Sequence, residues 1–389
     1  MSALLLASGV LVVVLSASGV LFTLVLARTP AGFELVPLAV ARGVHAAFCG
    51  LARLARTYEA KDGLLALGAP TAVAAGIAVW AGGFVLGFGL VITPHVHSLG
   101  AGVAQAAAAL FTAGTLHAAG PRDLAPDVAA GASWAVIVAL QIAYLPTLYS
   151  AFNRRETLVS LLESRAGLPA WGPELLVRHE LVGITDTLAE LYASWEAWAA
   201  EVAETHTTYP VLCFFRSPEP WYSWLGGLLA VLDAAAMQLA LAPAGAPSTA
   251  RLCLRMGFTA LRRIGTMLAV PIDPDPSPEG PIRLAFEEFA AAVAMLESAG
   301  FPLERGAEAA WPDFVGWRVN YEDAAYRLGD LLLTPPSPWS GPRRQLPPTP
   351  VPPRRPPQRR PRSTPPPGRH PASPRDGAGP AAGPPATGA

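Results

Sequence analysis

The chain of 389 residues is 52% hydrophobic and 15% charged, with a formal net charge of −1, whereas soluble domains average about 25% charged residues. A mean hydropathy of +0.36 argues against an ordinary soluble protein and points to lipid, and no nucleic-acid partner is expected. The cysteines Cys49, Cys213 and Cys253 are widely spaced and odd in number, which argues against a disulfide scaffold or a cysteine-based metal site.

Leu4 to Ala27 carries no charge and is long enough to cross a hydrocarbon core of about 30 Å. Val25-Leu26-Ala27 would suit a signal-peptide cleavage site. No basic residue precedes the run, however, and it exceeds the usual apolar region of about 7–15 residues. Residues 1–27 are therefore read as a first transmembrane helix. Residues 28–63 follow as a linker in which Leu35, Leu38, Val44, Phe48 and Leu51 recur at helical spacing beside Arg42, Arg53 and Arg56. Such a helix lies in the headgroup plane or packs on a cytoplasmic domain.

A second uncharged span runs from Leu64 to Ile92 and a third from Val128 to Tyr149, the latter containing Gln141 and Pro146. Arg28, Arg42, Arg53, Arg56 and Lys61 lie between the first two spans, Arg154 and Arg155 follow the third, and Arg122 alone lies between the second and third. The excess of basic residues on cytoplasmic loops predicts a multi-pass protein of the cell membrane. The N-terminus and residues 93–127 would face outward, and the C-terminal half would be cytoplasmic.

Ser98 to Phe111 is an outward segment by that topology, yet it is almost entirely Ala, Gly, Val and Leu. It is too short to span, so a helix that dips into the membrane and returns is expected. Thr112-Ala113-Gly114-Thr115 ends it, with Gly114 free to adopt positive φ. A span, a short re-entrant helix, Thr-x-Gly and a second span over residues 64–151 resemble the pore domain of potassium channels, whose filter carbonyls replace an ion's hydration shell. The resemblance puts Thr112 at the filter threonine and Gly114 at the first filter glycine. Thr115 stands where that family has an aromatic residue, Leu116 where it has the second glycine, and His117 where an acidic residue is usual.

"LFTAGT" and "THTTYPVLCFFRSPEPWYSWLGGLLAVLDAAA" are also similar to uncharacterised bacterial ion-channel-like membrane proteins. The resemblance implies a potassium or other cation channel with a degenerate filter formed by Thr112, Ala113, Gly114 and Thr115. An inorganic cation is its implied partner, and the assembly it implies is a homo-oligomer, a tetramer. The alternative is a non-conducting, membrane-anchored interaction or signalling protein. His95, His97 and His117 flank the segment but lack the four ligands zinc prefers, and are read as wet loop residues open to titration near neutral pH.

Residues 152–335 hold 13 basic and 23 acidic residues, a net charge of −10. Helical spacing is plain over Glu174–Glu204, and further helices are expected over Trp221–Leu241, Ala250–Leu268, Arg283–Ser298 and Asn320–Leu333. The fold class is therefore all-α: three transmembrane helices with a re-entrant helix, then a cytoplasmic bundle of five or six helices. Trp224–Ala242 is apolar enough to span, but crossing there would export the arginine-rich C-terminus, so it is read as the buried core helix of the bundle. Its Asp233 needs a partner in apolar surroundings; Arg216 is the expected one, with His206 and Tyr209 nearby, forming a buried polar clasp or a ligand pocket. No phosphate loop, nucleophile elbow or zinc-binding helix is present, so no catalytic residue, metal ligand or cofactor is assigned and an enzyme is not expected.

Residues 336–389 are rich in proline and carry nine arginines against Asp376, a net charge of +8. Such a tail is expected to be disordered or polyproline-like. Its candidate partners are anionic lipids, an SH3-like domain or the acidic bundle.

Overall fold

A computed structural model of the chain describes residues 2–24, 35–96, 98–111 and 121–340. Those residues form α-helices and short 3-10 turns, with no strand among them. Two apolar cores are present. One joins the membrane-type helices through Val20, Trp80, Phe84, Phe88, Ile92, Leu110 and Ile137. The other fills the helical domain around Trp195, Leu228, Leu232, Met237, Leu254 and Phe314.

Helix α1 (Ser2–Leu24) lies antiparallel on α4 (Gly68–Val96). The contact is close because both helices present glycine: a Cβ on Gly9 would fall 2.7 Å from the Gly87 carbonyl oxygen. Small residues that let backbones approach are the usual device for holding helices together where lipid removes the hydrophobic drive. Between them come α2 (Leu35–Ala52) and α3 (Tyr58–Ala66). Of the two readings of the linker, the geometry matches packing on the domain. Leu38 and Ala41 belong to its core, and the His45 ring sits 4.7 Å from that of Phe214.

Helix α5 (Leu99–Leu110) follows, and then α6 (Pro121–Ala166), 46 residues long. The expected third span ended at Tyr149, and the expected domain border lay at 151/152. Helix α6 runs through both, so one rod serves the membrane half and the helical domain. Pro146 does not end it; Thr147 returns its hydroxyl to the Ala143 carbonyl at 3.1 Å.

The rest of the domain comprises α7 (Gly172–Val182), α8 (Leu188–Thr208), α9 (Trp224–Leu241), α10 (Ser248–Met267), α11 (Phe286–Ala299), α12 (Ala307–Arg318) and α13 (Glu322–Leu332). The single stretch expected over Glu174–Glu204 is two helices, because Gly183 takes φ +74° and caps α7 in the left-handed conformation. Helix α12 was not expected. Residues 336–340, placed in the tail by composition, belong to the domain: Trp339 is 7% exposed and meets Trp171 edge-on at 5.7 Å. The remainder of the tail lies outside the described residues.

Among the described residues four helices are long and apolar enough to cross a membrane: Ala3–Leu24, Tyr58–Val96, Leu124–Ala166 and Trp224–Leu241. The last differs in kind, since 94% of it is buried inside the protein against 11–39% for the others. A helix already enclosed by protein on all sides has no face left for lipid.

Candidate functional site

The hairpin of α4, α5 and α6 forms the candidate site. Ala, Leu and Gln favour a helix at α5, and its buried residues Gly102, Gln105, Ala106, Ala109 and Leu110 recur at helical spacing on one face. Against α4 the fit is backbone to backbone: a Cβ on Gly102 would lie 2.6 Å from the Gly89 carbonyl oxygen and 2.7 Å from the Thr93 hydroxyl. On the other side α5 runs parallel to the start of α6. Gln105 bonds Asp127, Ala109 abuts Gly131, and Phe111 meets Trp134 edge-on with ring centroids 5.1 Å apart.

That parallel register constrains the chain. It leaves α5 at Phe111, level with Trp134, and enters α6 at Pro121, about 20 Å back along the helix at 1.5 Å per residue. Thr112, Ala113, Gly114 and Thr115, with His97 and His117, lie outside the described residues; the helices on either side fix only where the segment begins and ends.

Gln105 and Asp127 are 1% and 3% exposed, and the amide nitrogen donates to Asp127 Oδ2 at 2.8 Å. Gln105 Oε1 and Asp127 Oδ1 are both buried without a hydrogen-bond partner, as is Gln141 Oε1 further along α6. Among the described residues no basic side chain pairs with Asp127. A carboxylate and an amide oxygen held out of water with no donor make a local excess of acceptors, which favours positive charge. Neither residue was singled out in the sequence. The signal was there: Gln105 is the only polar side chain in the run from Leu99 to Leu110, and Asp127 directly precedes the apolar run that begins at Val128. Among the described residues no group of three His, Cys, Asp or Glu side chains is placed to hold a metal ion.

The expected clasp in the helical domain does not form as one unit. Arg216 and Asp233 are not partners. Arg216 instead bonds Asp62 and Tyr58 of α3 and donates to the carbonyls of Leu332 and Leu333, both at 3.1 Å. His45 lies 2.9 Å from the Leu331 carbonyl. The open C-terminal carbonyls of α13 are thus capped by the linker helix and the Arg216 loop, which ties the two halves together.

Asp233 pairs with Arg318 and accepts from the Tyr321 hydroxyl at 2.8 Å. Arg318 is 0% exposed and also bonds Glu322 at 2.9 Å, the Tyr326 hydroxyl at 2.9 Å and the Trp339 carbonyl at 2.8 Å. Burial pushes the Asp233 carboxyl up to about 6, opposed by Arg318 and Tyr321. His206 meets neither Arg216 nor Asp233. Its Nε2 accepts from Arg155 at 3.1 Å, while Arg155 also bonds Glu156 at 2.7 Å and the carbonyls of Leu212 and Phe215 at 2.8 and 2.9 Å. Tyr209 packs edge-on against Tyr144 at 5.6 Å. These clusters saturate their donors and fix helix packing; they do not converge on a common pocket.

Burial, reinforced by the Arg155 charge, holds the His206 ring well below its usual pKa, and burial lowers His45 and His179 as well. The unfolded chain takes up these protons near pH 6.5 while the folded chain refuses them, so stability is complete above pH 6.5 and lost as pH falls below it. The free energy of unfolding measured between pH 7.5 and 5.5 is expected to fall with acidification, by up to about 1.4 kcal/mol per pH unit for the fully buried His206 and by less for His45 and His179. His206→Asn, which still offers Arg155 an acceptor, is expected to flatten that slope. An unchanged slope would remove His206 from the account.

Comparison of the chain with known protein families, with curated proteins and with solved structures finds no match.

Proposed function

We propose that the chain is an ion-conducting membrane protein that works as a homo-oligomer, with a cation passing the segment that joins α5 to α6. In this reading α1, α4 and α6 cross the cell membrane, α9 stays in the cytoplasmic bundle, and the placement of arginines puts the N-terminus outside. The observation that carries the reading is the register of α5. It lies antiparallel to α4 and parallel to α6, and its 12 residues cover about 18 Å, roughly half of a bilayer core. A chain that turns back at that depth places its backbone where only protein or water can surround it. The acceptor-rich pair Gln105 and Asp127, midway along α5, supports a cation rather than an anion.

Assembly is supported by the alanines exposed along α6. Helix α1 exposes Leu4, Leu6, Val10, Leu11, Val14 and Leu15, large side chains suited to lipid tails. The membrane half of α6 exposes Ala125, Ala129, Ala132, Ala135, Ala139 and Ala143 alongside Val128, Val136 and Ile142, and small residues of this kind line helix contacts within membranes. One hairpin encloses no path by itself, and copies meeting along α6 would.

Purified protein reconstituted in liposomes is expected to pass a monovalent cation, and Gly114→Val to silence it while leaving expression and particle size unchanged. Thr112→Val, which keeps the carbonyl, is expected to alter selectivity less severely. A silent wild type with assembly and orientation verified would replace this reading with that of a membrane anchor for the helical domain.

A further inference from the structure

Helix α10 carries an arrangement that neither the fold nor the pore reading uses. Its core side is regular: Ala250, Cys253, Leu254, Gly257, Ala260, Leu261 and Ile264 are buried at helical spacing. Its outer side holds Arg251, Arg255, Arg262 and Arg263 with Leu252, and no acidic residue occurs anywhere in the helix. Elsewhere in the domain Arg154, Arg155, Arg178, Arg216, Arg283, Arg305, Arg318 and Arg327 each have a carboxylate partner, and Arg165 alone has none among the described residues. The four arginines of α10 have none among the described residues; Arg262 lies over the Phe258 ring at 5.2 Å. In a domain with a net charge of −10, cations gathered on one helix without a carboxylate partner leave that face open to an anionic partner.

A surface of opposite sign lies in the loop after α10 and along α11 and α12. Asp273, Asp275 and Glu279 in the loop after α10, Glu287 and Glu297 on α11 and Glu308 on α12 are exposed and form no ion pair among the described residues. Helix α10 packs on α8, α9 and α13, whereas α11 packs on α7 and α12. Helices α10 and α11 thus rest on different neighbours within one chain.

Helix α8 runs back along α6, since Tyr209 meets Tyr144 and Glu201 pairs with Arg154, and α10 packs along α8. Arg251, Arg255 and Arg263 stay on the exposed side of α10.

We propose that α10 of one copy docks on the acidic α11–α12 edge of a second copy, a head-to-tail contact whose repetition closes a ring. This rests on the homo-oligomer of the pore reading and names the surface that forms it in the helical domain.

The test uses the full chain in nanodiscs of neutral phosphatidylcholine, with particle mass as the readout. Triple reversal of Arg251, Arg255 and Arg263 to Glu is expected to lower the oligomeric fraction at least about tenfold, a change worth about 1.4 kcal/mol. Reversal of Asp275, Glu279 and Glu287 to Arg is expected to do the same. A chain carrying both reversals has complementary faces again and is expected to reassemble, a rescue that misfolding cannot imitate. Arg255→Cys with Glu287→Cys is expected to give oxidised ladders between chains.

An oligomer indifferent to both reversals would overturn this interface and leave the pore reading standing. A wild type that is monomeric throughout would remove both. Assembly that requires phosphatidylglycerol in the nanodisc and is lost only with the α10 reversal would assign the arginines to lipid and overturn the proposal.

Discussion

Asp233→Leu is expected to destabilise the helical domain by about 3–5 kcal/mol, the range seen when one member of a buried ion pair is removed. Arg318 is 0% exposed and would be left holding a charge among Trp339, Phe314 and Tyr326, with Glu322 as its remaining acid. Joint replacement, Asp233→Leu with Arg318→Met, is expected to recover a large part of the loss, because apolar side chains of similar volume fill such sites without a desolvation cost. Glu322 would keep its bonds from the backbone nitrogens of Arg283 and Leu284. Denaturation of the two single variants and the double measures the coupling directly. If the double variant loses the sum of the singles, the pair is not the clasp that fixes α9 against α12.

Gly102→Leu is expected to disable the α4–α5–α6 hairpin. Its first side-chain carbon alone would sit 2.6 Å from the Gly89 carbonyl oxygen and 3.1 Å from the Thr93 amide nitrogen, both backbone atoms of a packed helix that cannot rotate away. Overpacking of this kind costs about 1–3 kcal/mol in general, and rigid neighbours put Gly102 at the upper end. The expected readouts are loss of cation flux and a lowered melting temperature in detergent. Gly100→Leu is the control: only the Ser98 hydroxyl oxygen, at 3.9 Å, lies within reach of a side chain there. Equal behaviour of the two variants would show that the tight seam between α4 and α5 does not govern the hairpin.

The membrane-type helices were open to reading because composition is contiguous: an uncharged run of sufficient length declares itself whatever packs beside it. The burial of α9 was also readable, since the alternative would have exported the basic C-terminus. Partner choice was not. Arg318 sits in α12, whose Pro312 and Gly316 interrupt the helical pattern, so the true partner of Asp233 belonged to an element the pattern hid and Arg216 took its place. The contacts of Arg216 with Asp62 join residues 154 apart in sequence, a separation across which neither periodicity nor spacing carries information. Trp339 was hidden by its neighbours: prolines on either side suggested a tail, while the indole itself closes the core beneath Arg318. At the candidate site, helix α5 was expected almost to the residue, but the pairing of Gln105 with Asp127 depends on the parallel run of α5 and α6, which only three-dimensional packing sets.

The unbroken rod of α6 makes the protein a lever. At 1.5 Å per residue its 46 residues measure about 69 Å, so a tilt of about 5° shifts one end against the other by roughly 6 Å. Pro146, whose missing N–H leaves the helix without one backbone bond, lies between the Tyr144–Tyr209 and Tyr149–Phe215 contacts with the helical domain. Below it the shaft is gripped by α8 through Arg154 and Glu201; above it the same shaft carries Asp127 to the mouth of the hairpin. Asp127 and the contacts of the helical domain thus sit on one continuous piece of backbone, with no loop between them.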